Sequence, residues 1–425
     1  MTSSGTSTTV ARRALGAVLA AEAVSVAGNR IALIAIPWFV LETTGDPAQA
    51  GLSGVAYFVP VVLAGLFGGP LVDRMGFIRS SVHADLASGM TVAAIPVLHM
   101  LGHLSFWLLL VLTFAGSMLD VPGTTARRSL VPDLAEAGGM RLERAMSAHE
   151  TVMRLAQLTG GLLGGVLLAA LGPILVLYLD AASFLVSALI VGLTVPRASP
   201  RKAPHLSKGT SRYFAELTEG LRFIREDTLL PRILVVFMFA NMADNALFTV
   251  LLPTLAEQVL NNPLALGLSV AAFGAGALAG AVLFGAVGHR FLRHVILTGA
   301  LLISGAPKFF VIAAMPGTPT LVVTMALAGI AAGPVNPLLT SVQFSRIPSE
   351  LRGRVSGAIM ATVVAAVPVG IFGAGLLVAM TGLTTALLVI AAGYLVVSLY
   401  PALHPAWRAA TPPRGARGPR ASQID

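Results

Sequence analysis

Runs of twenty or more residues with almost no charge recur from one end of this chain to the other, and they constrain its fold more than anything else in it. About 20 apolar residues span a bilayer as an α-helix, the form in which a single segment satisfies its own backbone hydrogen bonds. Only 11% of the 425 residues are charged, where a soluble domain carries about a quarter. A transmembrane β-barrel would show short alternating segments instead. The runs predict an all-α integral membrane protein with twelve spans: 14–41, 48–71, 78–101, 104–127, 147–171, 173–195, 230–256, 264–288, 293–315, 318–343, 355–379 and 382–403. Turn signals such as Thr44-Gly45-Asp46-Pro47, Leu171-Gly172-Pro173 and Pro316-Gly317-Thr318-Pro319 separate them.

The two halves repeat. At one constant offset Asn29 matches Asn245, Pro37 matches Pro253, Gly51-Leu52-Ser53 matches Gly267-Leu268-Ser269, Arg74 matches Arg290 and Pro132 matches Pro348. An even number of spans per half means that both halves enter the membrane the same way, as parallel repeats do. Two six-helix bundles are expected, over 14–195 and 230–404, with a site between them. The linker 196–229 carries Phe214, Leu217, Leu221 and Ile224 at helical spacing opposite Arg212, Glu216, Glu219, Arg222 and Arg225. That pattern predicts a short amphipathic helix, either on the membrane surface or against the inner ends of the bundles. Residues 1–13 and 405–425 are expected to be disordered, the basic tail being suited to anionic lipid.

The net charge of +9 would suit nucleic acid, but its placement argues otherwise. Every Lys and Arg except Arg30 and Lys308 falls in or beside alternate connections, and the intervening loops have none. By the positive-inside rule both termini are cytoplasmic. The apolar stretch after Arg12-Arg13 is too long for a signal-peptide core and reads as an uncleaved first span. The excess of arginine over lysine points to a GC-rich bacterial genome, and the expected location is a bacterial cell membrane. No cysteine is present, so disulfides and thiolate metal sites are excluded. Nucleophile triads, phosphate-cradling loops and zinc spacings do not appear, so neither an enzyme nor a cofactor or metal is expected.

Five charges lie well inside predicted spans: Glu22, Arg30, Asp180, Asp244 and Lys308. Each bare charge costs about 2.5–3.5 kcal/mol at mid-membrane, so they must be paired, neutralised or wet. Glu22 and Asp244 are the candidate proton-coupling carboxylates. Arg30, Asp180 and Lys308 are buried partners, with Arg30 at the depth to pair with Asp244, Asp180 as a competing partner, and Lys308 within snorkelling reach of the outer interface. Asp85, Asp120, Glu150, His83 and His149 are placed near cytoplasmic helix ends, where charge is cheap. On span 5, Gly160, Gly161, Gly164 and Gly165 form a stripe of small residues that lets helices approach closely.

The loop Gly69-x-Leu71-x-Asp73-Arg74-x-Gly76 resembles the signature between helices 2 and 3 of the major facilitator superfamily of transporters, with Arg79 in place of its usual following basic residues. The span-5 glycines are similar to the helix-5 motif of that superfamily's drug:proton antiporters, with Gly161 where the motif has proline. The stretches Arg127-Arg128 to Pro132-Asp133-Leu134, Asp180 to Phe184, and Gln343 to Arg354 resemble its macrolide-efflux and enterobactin-exporter branch.

The resemblance implies a cytoplasmic gating loop built from Gly69, Asp73, Arg74, Gly76 and Arg79, joined by Asp120, Arg127 and Arg128. It also implies a substrate cavity lined by spans 1, 4, 7 and 10, which offer Asn29, Trp38, Phe114, Asn241, Asn245, Phe248 and Asn336. The implied function is proton-coupled efflux of amphipathic organic molecules by alternating access, working as a monomer with membrane lipid around it. An exporter of one self-made metabolite and a lysophospholipid flippase are the alternatives.

Overall fold

The computed structural model describes residues 3–196, 210–287, 293–348 and 350–403. The tail 405–425 and most of the linker before Thr210 lie outside that set, as do the side chains of residues 65–71, 73 and 74. Among the described residues the secondary structure is helical throughout.

The first half comprises α1 (Ser3–Thr44), α2 (Pro47–Met75), α3 (Phe77–Met100), α4 (Phe106–Ala137) and α5 (Leu142–Thr194). α5 is two crossings joined at Gly172, whose φ of 75° belongs to the left-handed region. Gly76 (φ 80°) likewise turns α2 into α3. The linker helix is α6 (Thr210–Glu226). The seventh crossing starts as α7 (Leu230–Ala246) and continues through two π-helical turns, Leu247–Leu251 and Leu255–Val259, on either side of α8 (Leu252–Thr254). Then come α9 (Pro263–Val287), α10 (Arg293–Ser304) with α11 (Ala306–Ala313), α12 (Thr318–Ala332) with α13 (Val335–Arg346), α14 (Arg352–Thr381) and α15 (Leu383–Leu403). The ninth crossing is broken at Gly305 and the tenth at Gly333-Pro334. Twelve crossings result, with both ends of the described chain on one face (the terminal face) and the turns at Gly45, Gly172 and Gly382 on the other (the loop face).

Residues 3–13, expected to be disordered, begin α1. Arg12 Nε donates to the Gly138 carbonyl at 2.7 Å, and Leu15 packs with Val131, Ala135 and Ala145 beside it. The start of the chain is thereby held against the end of α4. α6 is the expected amphipathic helix. It lies against α14, where Gly220 leaves room for the Arg354 backbone and Arg354 Nη1 reaches Glu219 Oε2 at 2.7 Å.

Apolar burial drives little association between helices in lipid, so close packing must hold the bundles together. The four glycines of α5 divide into two pairs, each four residues apart and each on its own face. Gly160 and Gly164 admit α1: a Cβ on Gly160 would stand 2.7 Å from the Ala27 carbonyl oxygen. Gly161 and Gly165 admit α9 from the other half, and a Cβ on Gly165 would stand 1.7 Å from Gly267 Cα. A second crossing between the halves brings Gly51 of α2 against Gly375 of α14, where a Cβ on Gly375 would come 3.2 Å from Gly51 Cα. Gly51 and Gly267 are repeat-related. An apolar cluster from Ile31–Leu41 to Leu247–Ala256 and Val378 fills the same loop-face half, and Gln258 Nε2 donates to the Gly45 carbonyl at 3.2 Å.

On the terminal face Asp227 starts the second half. Its Oδ1 accepts from the backbone N–H of Leu229 (2.7 Å) and Leu230 (2.8 Å), and its Oδ2 accepts from Arg346 Nε (3.1 Å). Burial opposes the charge, but the two amides and Arg346 outweigh it and hold the carboxyl below its ordinary value. A depressed folded-state value adds stability at neutral pH and loses it as the pH falls through that value. Asp227→Ala is expected to cost about 1–2 kcal/mol at pH 7, read by thermal unfolding in detergent. The gap to wild type should close as the pH drops below the ordinary carboxylate range; a constant gap would refute the cap.

Gly165→Leu is expected to prop the halves apart at the loop face. Overpacking of this kind costs about 1–3 kcal/mol, read as a lowered thermal-unfolding midpoint in detergent. An unchanged midpoint would mean that the two helices do not meet this closely.

Candidate functional site

The seventh crossing puts Asp244 midway through the membrane, just before the π-helical turns. Lys308 Nζ meets Asp244 Oδ1 at 2.5 Å; the lysine side chain is 1% exposed and the aspartate 29%. The ammonium also lies 5.4 Å from the ring centre of Phe273, 5.3 Å from Phe309 and 5.5 Å from Tyr394. Cation–π attraction grows to about 2 kcal/mol when the cation is desolvated, so a caged ammonium is stable here while its carboxylate stays reachable. The ring of Tyr394 reaches this place because position 305 is glycine: a Cβ there would stand 2.3 Å from the ring.

This corrects two expectations. Asp244 pairs with Lys308 and not with Arg30, because the break at Gly305 turns α11 so that Lys308 points into the bundle. Lys308 for the same reason does not snorkel. Arg30 is exposed and has no ion pair among the described residues. Asp180 is not its partner either; it is buried beside Ser183, whose hydroxyl stands 3.5 Å from Oδ1.

In the first half, Arg127 and Asp85 are both 0% exposed. Arg127 Nη1 donates to both Asp85 oxygens at 2.7 and 2.8 Å, and Nη2 reaches Ser25 Oγ at 3.3 Å. Ser187 Oγ donates to Asp85 Oδ2 at 2.7 Å. One ion pair thus ties together α1, α3, α4 and the second limb of α5. Asp85 was expected at a cheap, solvated helix end; it is buried because Arg127 on the neighbouring helix compensates it. Arg127 is paired with Asp85 in this network, and Arg128 is exposed, 4.0 Å from Glu150. The side chains of Gly69, Asp73 and Arg74 are outside the described residues; Arg79 is exposed.

Glu22 Oε2 lies 2.9 Å from His149 Nε2, both side chains under 5% exposed (3% and 4%). His149 was expected to be solvated, but the approach of α1 to α5 that the glycines permit buries it against Glu22. Its Nδ1 has no partner among the described residues.

Asp120, expected at the cytoplasmic gate, instead points into the first bundle. Asn29 Nδ2 donates to its Oδ2 at 3.0 Å. Asn29 thus lines a small, partly open space whose walls come from the first half. Of the other expected lining residues, Trp38 is buried in the apolar cluster, while Phe114 and Asn336 are exposed. Asn241 and Asn245 donate back to backbone carbonyls one turn earlier, at 2.9 and 2.8 Å. Phe248 stands edge-on to Phe273 with ring centres 5.0 Å apart. Phe248 reaches the Asp244–Lys308 pair through Phe273, and Asn241 and Asn245 share α7 with Asp244. Sequence reasoning missed the pairing roles of Asp85, His149 and Tyr394; only the two polar residues carried a signal, as charge-capable groups in apolar context.

Comparison with known proteins agrees with this architecture. The profile of the family described as transmembrane secretion effector matches residues 5–411. The multidrug efflux pump Tap of Mycolicibacterium fortuitum is 32% identical over 360 residues, 84% of this chain and 87% of that one. Macrolide efflux protein A of Streptococcus pyogenes is 22% identical, over 83% of this chain and 86% of its own. Among solved structures, the nucleoside transporter NupG superposes with a TM-score of 0.72 at 12% identity, covering 93% of this chain and 98% of that one, a likeness of fold.

Removing one partner of a buried ion pair costs about 3–5 kcal/mol, because the other charge is left bare. Asp85→Asn and Arg127→Met should each lower thermal stability in detergent by that order, and the double variant should recover part of the loss. Additive losses would show that the two side chains act independently.

Proposed function

This chain belongs to the transmembrane secretion effector family of the major facilitator superfamily, and we propose that it exports amphipathic organic molecules, drugs among them, in exchange for protons. It is a multi-pass membrane transporter. The proposed setting is a bacterial cell membrane with both termini cytoplasmic, on the strength of the charge asymmetry between alternate loops. Alternating access then has the two bundles rocking about the midplane, separating on the loop face where Gly165 meets Gly267 and Gly51 meets Gly375.

The observation that carries the reading is the Asp244–Lys308 pair: a mid-membrane carboxylate that is partly exposed while its cationic partner is sealed behind it. Such a carboxylate offers one place to two positive charges. A proton on Asp244 removes the charge that a cationic or hydrogen-bond-donating substrate would seek, and bound substrate excludes the proton. Exclusion at one group makes the two fluxes run in opposite directions, since each ligand favours the conformation that the other vacates. Glu22, hydrogen-bonded to His149, is proposed as the second coupling carboxylate, nearer the terminal face. The apolar and aromatic surroundings of Phe248 and Phe273 suit amphipathic molecules better than sugars. Kinship supports the same substrate class, through pumps named for multidrug and macrolide efflux.

The test is ethidium transport in inverted membrane vesicles under an imposed pH gradient. Asp244→Asn and Glu22→Gln are each expected to lower gradient-driven transport at least about tenfold, a loss of about 1.4 kcal/mol of coupling. Full dependence on the gradient in both variants would refute the assignment of the coupling pair.

A further inference from the structure

The first half holds a partly open cavity of about 30 Å³ among α1, α2, α3, α4 and the second limb of α5, lined by Asn29, Tyr57, Thr113, Ser117, Asp120 and Asp180 among others. That volume holds one or two waters. Its polar lining is incompletely satisfied. Asp120 Oδ1 and Thr113 Oγ1 are buried without a hydrogen-bond partner among the described residues. Thr113 is 3% exposed and Asp180 1%. Asp180 packs against bare backbone, where a Cβ on Gly28 would stand 2.6 Å from its Oδ1.

The charge balance is what makes the cavity informative. Neither Asp120 nor Asp180 has an ion pair among the described residues. The charged and titratable groups facing them from the surrounding elements are Glu22 and Arg30 on α1, Tyr57 on α2, Asp85 on α3 and Arg127 on α4. Arg127 is already held by both oxygens of Asp85. Arg30 is exposed and hydrogen-bonds to neither acid. Two like charges facing one small space inside the bilayer are not both tolerated. One positive charge is missing.

We propose that this cavity is a proton-binding station distinct from Asp244 and Glu22, in which Asp120 and Asp180 share one proton delivered through ordered water. The lining favours a proton over a metal cation. Asn29 presents an N–H donor to Asp120, and Thr113, Ser117 and Tyr57 are hydroxyls that both donate and accept. A shared proton and its water use both the donors and the acceptors of this lining, whereas a bare cation would use its oxygen lone pairs alone; the response to sodium separates the two. A proton arriving as hydronium is passed to Asp120 Oδ1, giving a neutral carboxyl that donates across the cavity; the reverse step returns the proton to water on the opposite side. The cavity's role in transport rests on the proton-coupled reading above, but the presence of the shared proton does not.

Infrared difference spectroscopy of the purified full chain, titrated with pH in lipid, reads that proton directly. Wild type should show a protonated-carboxyl band at neutral pH, shifted by deuterium and insensitive to sodium. Asp120→Asn and Asp180→Asn should each abolish it, and Thr113→Val, which keeps both acids, should move its frequency. A band that survives both aspartate variants, or that vanishes on adding sodium, would overturn the proposal. For coupling, each aspartate variant should retain downhill substrate counterflow, showing that it is folded. Its steady-state substrate gradient should fall about tenfold at one pH unit of driving force, since one coupled proton then supplies a factor of ten. If wild-type transport ignored the pH gradient altogether, the exchange mechanism would fall, and the infrared band would still decide the site.

Discussion

The Arg127–Asp85 ion pair is the interaction on which the first half of the molecule depends. A guanidinium and a carboxylate, both sealed from solvent, repay their desolvation only if nearly every polar atom finds a partner. Here the two carboxylate oxygens, Ser25, Ser81 and Ser187 supply partners to Arg127 from three other crossings, and only its Nε has none among the described residues. Apolar side chains have no reason to prefer one another over lipid tails, so a directional polar knot of this kind sets which helices are neighbours and at what height. Glu22 and His149 add a second knot between α1 and α5.

The two halves share a plan and differ in how they settle their buried charge. In the second, Asp244 is neutralised by Lys308, and three aromatic rings stabilise the ammonium. In the first, Arg127 is committed to Asp85, leaving Asp120 and Asp180 around a small polar cavity. Repeat-related folds thus give unlike chemistry: a partly exposed carboxylate paired with a buried ammonium, and two carboxylates that line one small cavity without an ion pair among the described residues.

Between the halves, backbone meets backbone. At Gly165 and Gly267 the helices touch without intervening side chains, and Gly51 and Gly375 repeat the arrangement across the pseudo-two-fold axis. At these two crossings the helix backbones set the spacing of the halves, while the apolar cluster from Ile31–Leu41 to Leu247–Ala256 packs side chains across the same loop-face seam. The Gln258–Gly45 hydrogen bond is the one polar contact described above across that seam.

What could be read from residues alone follows from rules that act along a single helix. Apolar run length gives the crossings, Gly172 and Gly76 give turns, loop charge gives an orientation, and the amphipathic spacing of α6 gives a linker helix. Side-chain partners were not legible, because they depend on helix rotation and neighbour identity, which no single run encodes. Asp85 and Asp120 look alike in the sequence, each a lone acid near a predicted helix end. Packing puts Arg127 against the first and a cavity against the second. Lys308 looked able to reach the membrane surface until the break at Gly305 turned it inward to Asp244. The sequence by itself determined that charges would be buried and how many crossings would carry them. Only the tertiary structure decided which charge meets which, because in a bilayer that choice is made by distances of a few ångströms between helices far apart in the chain.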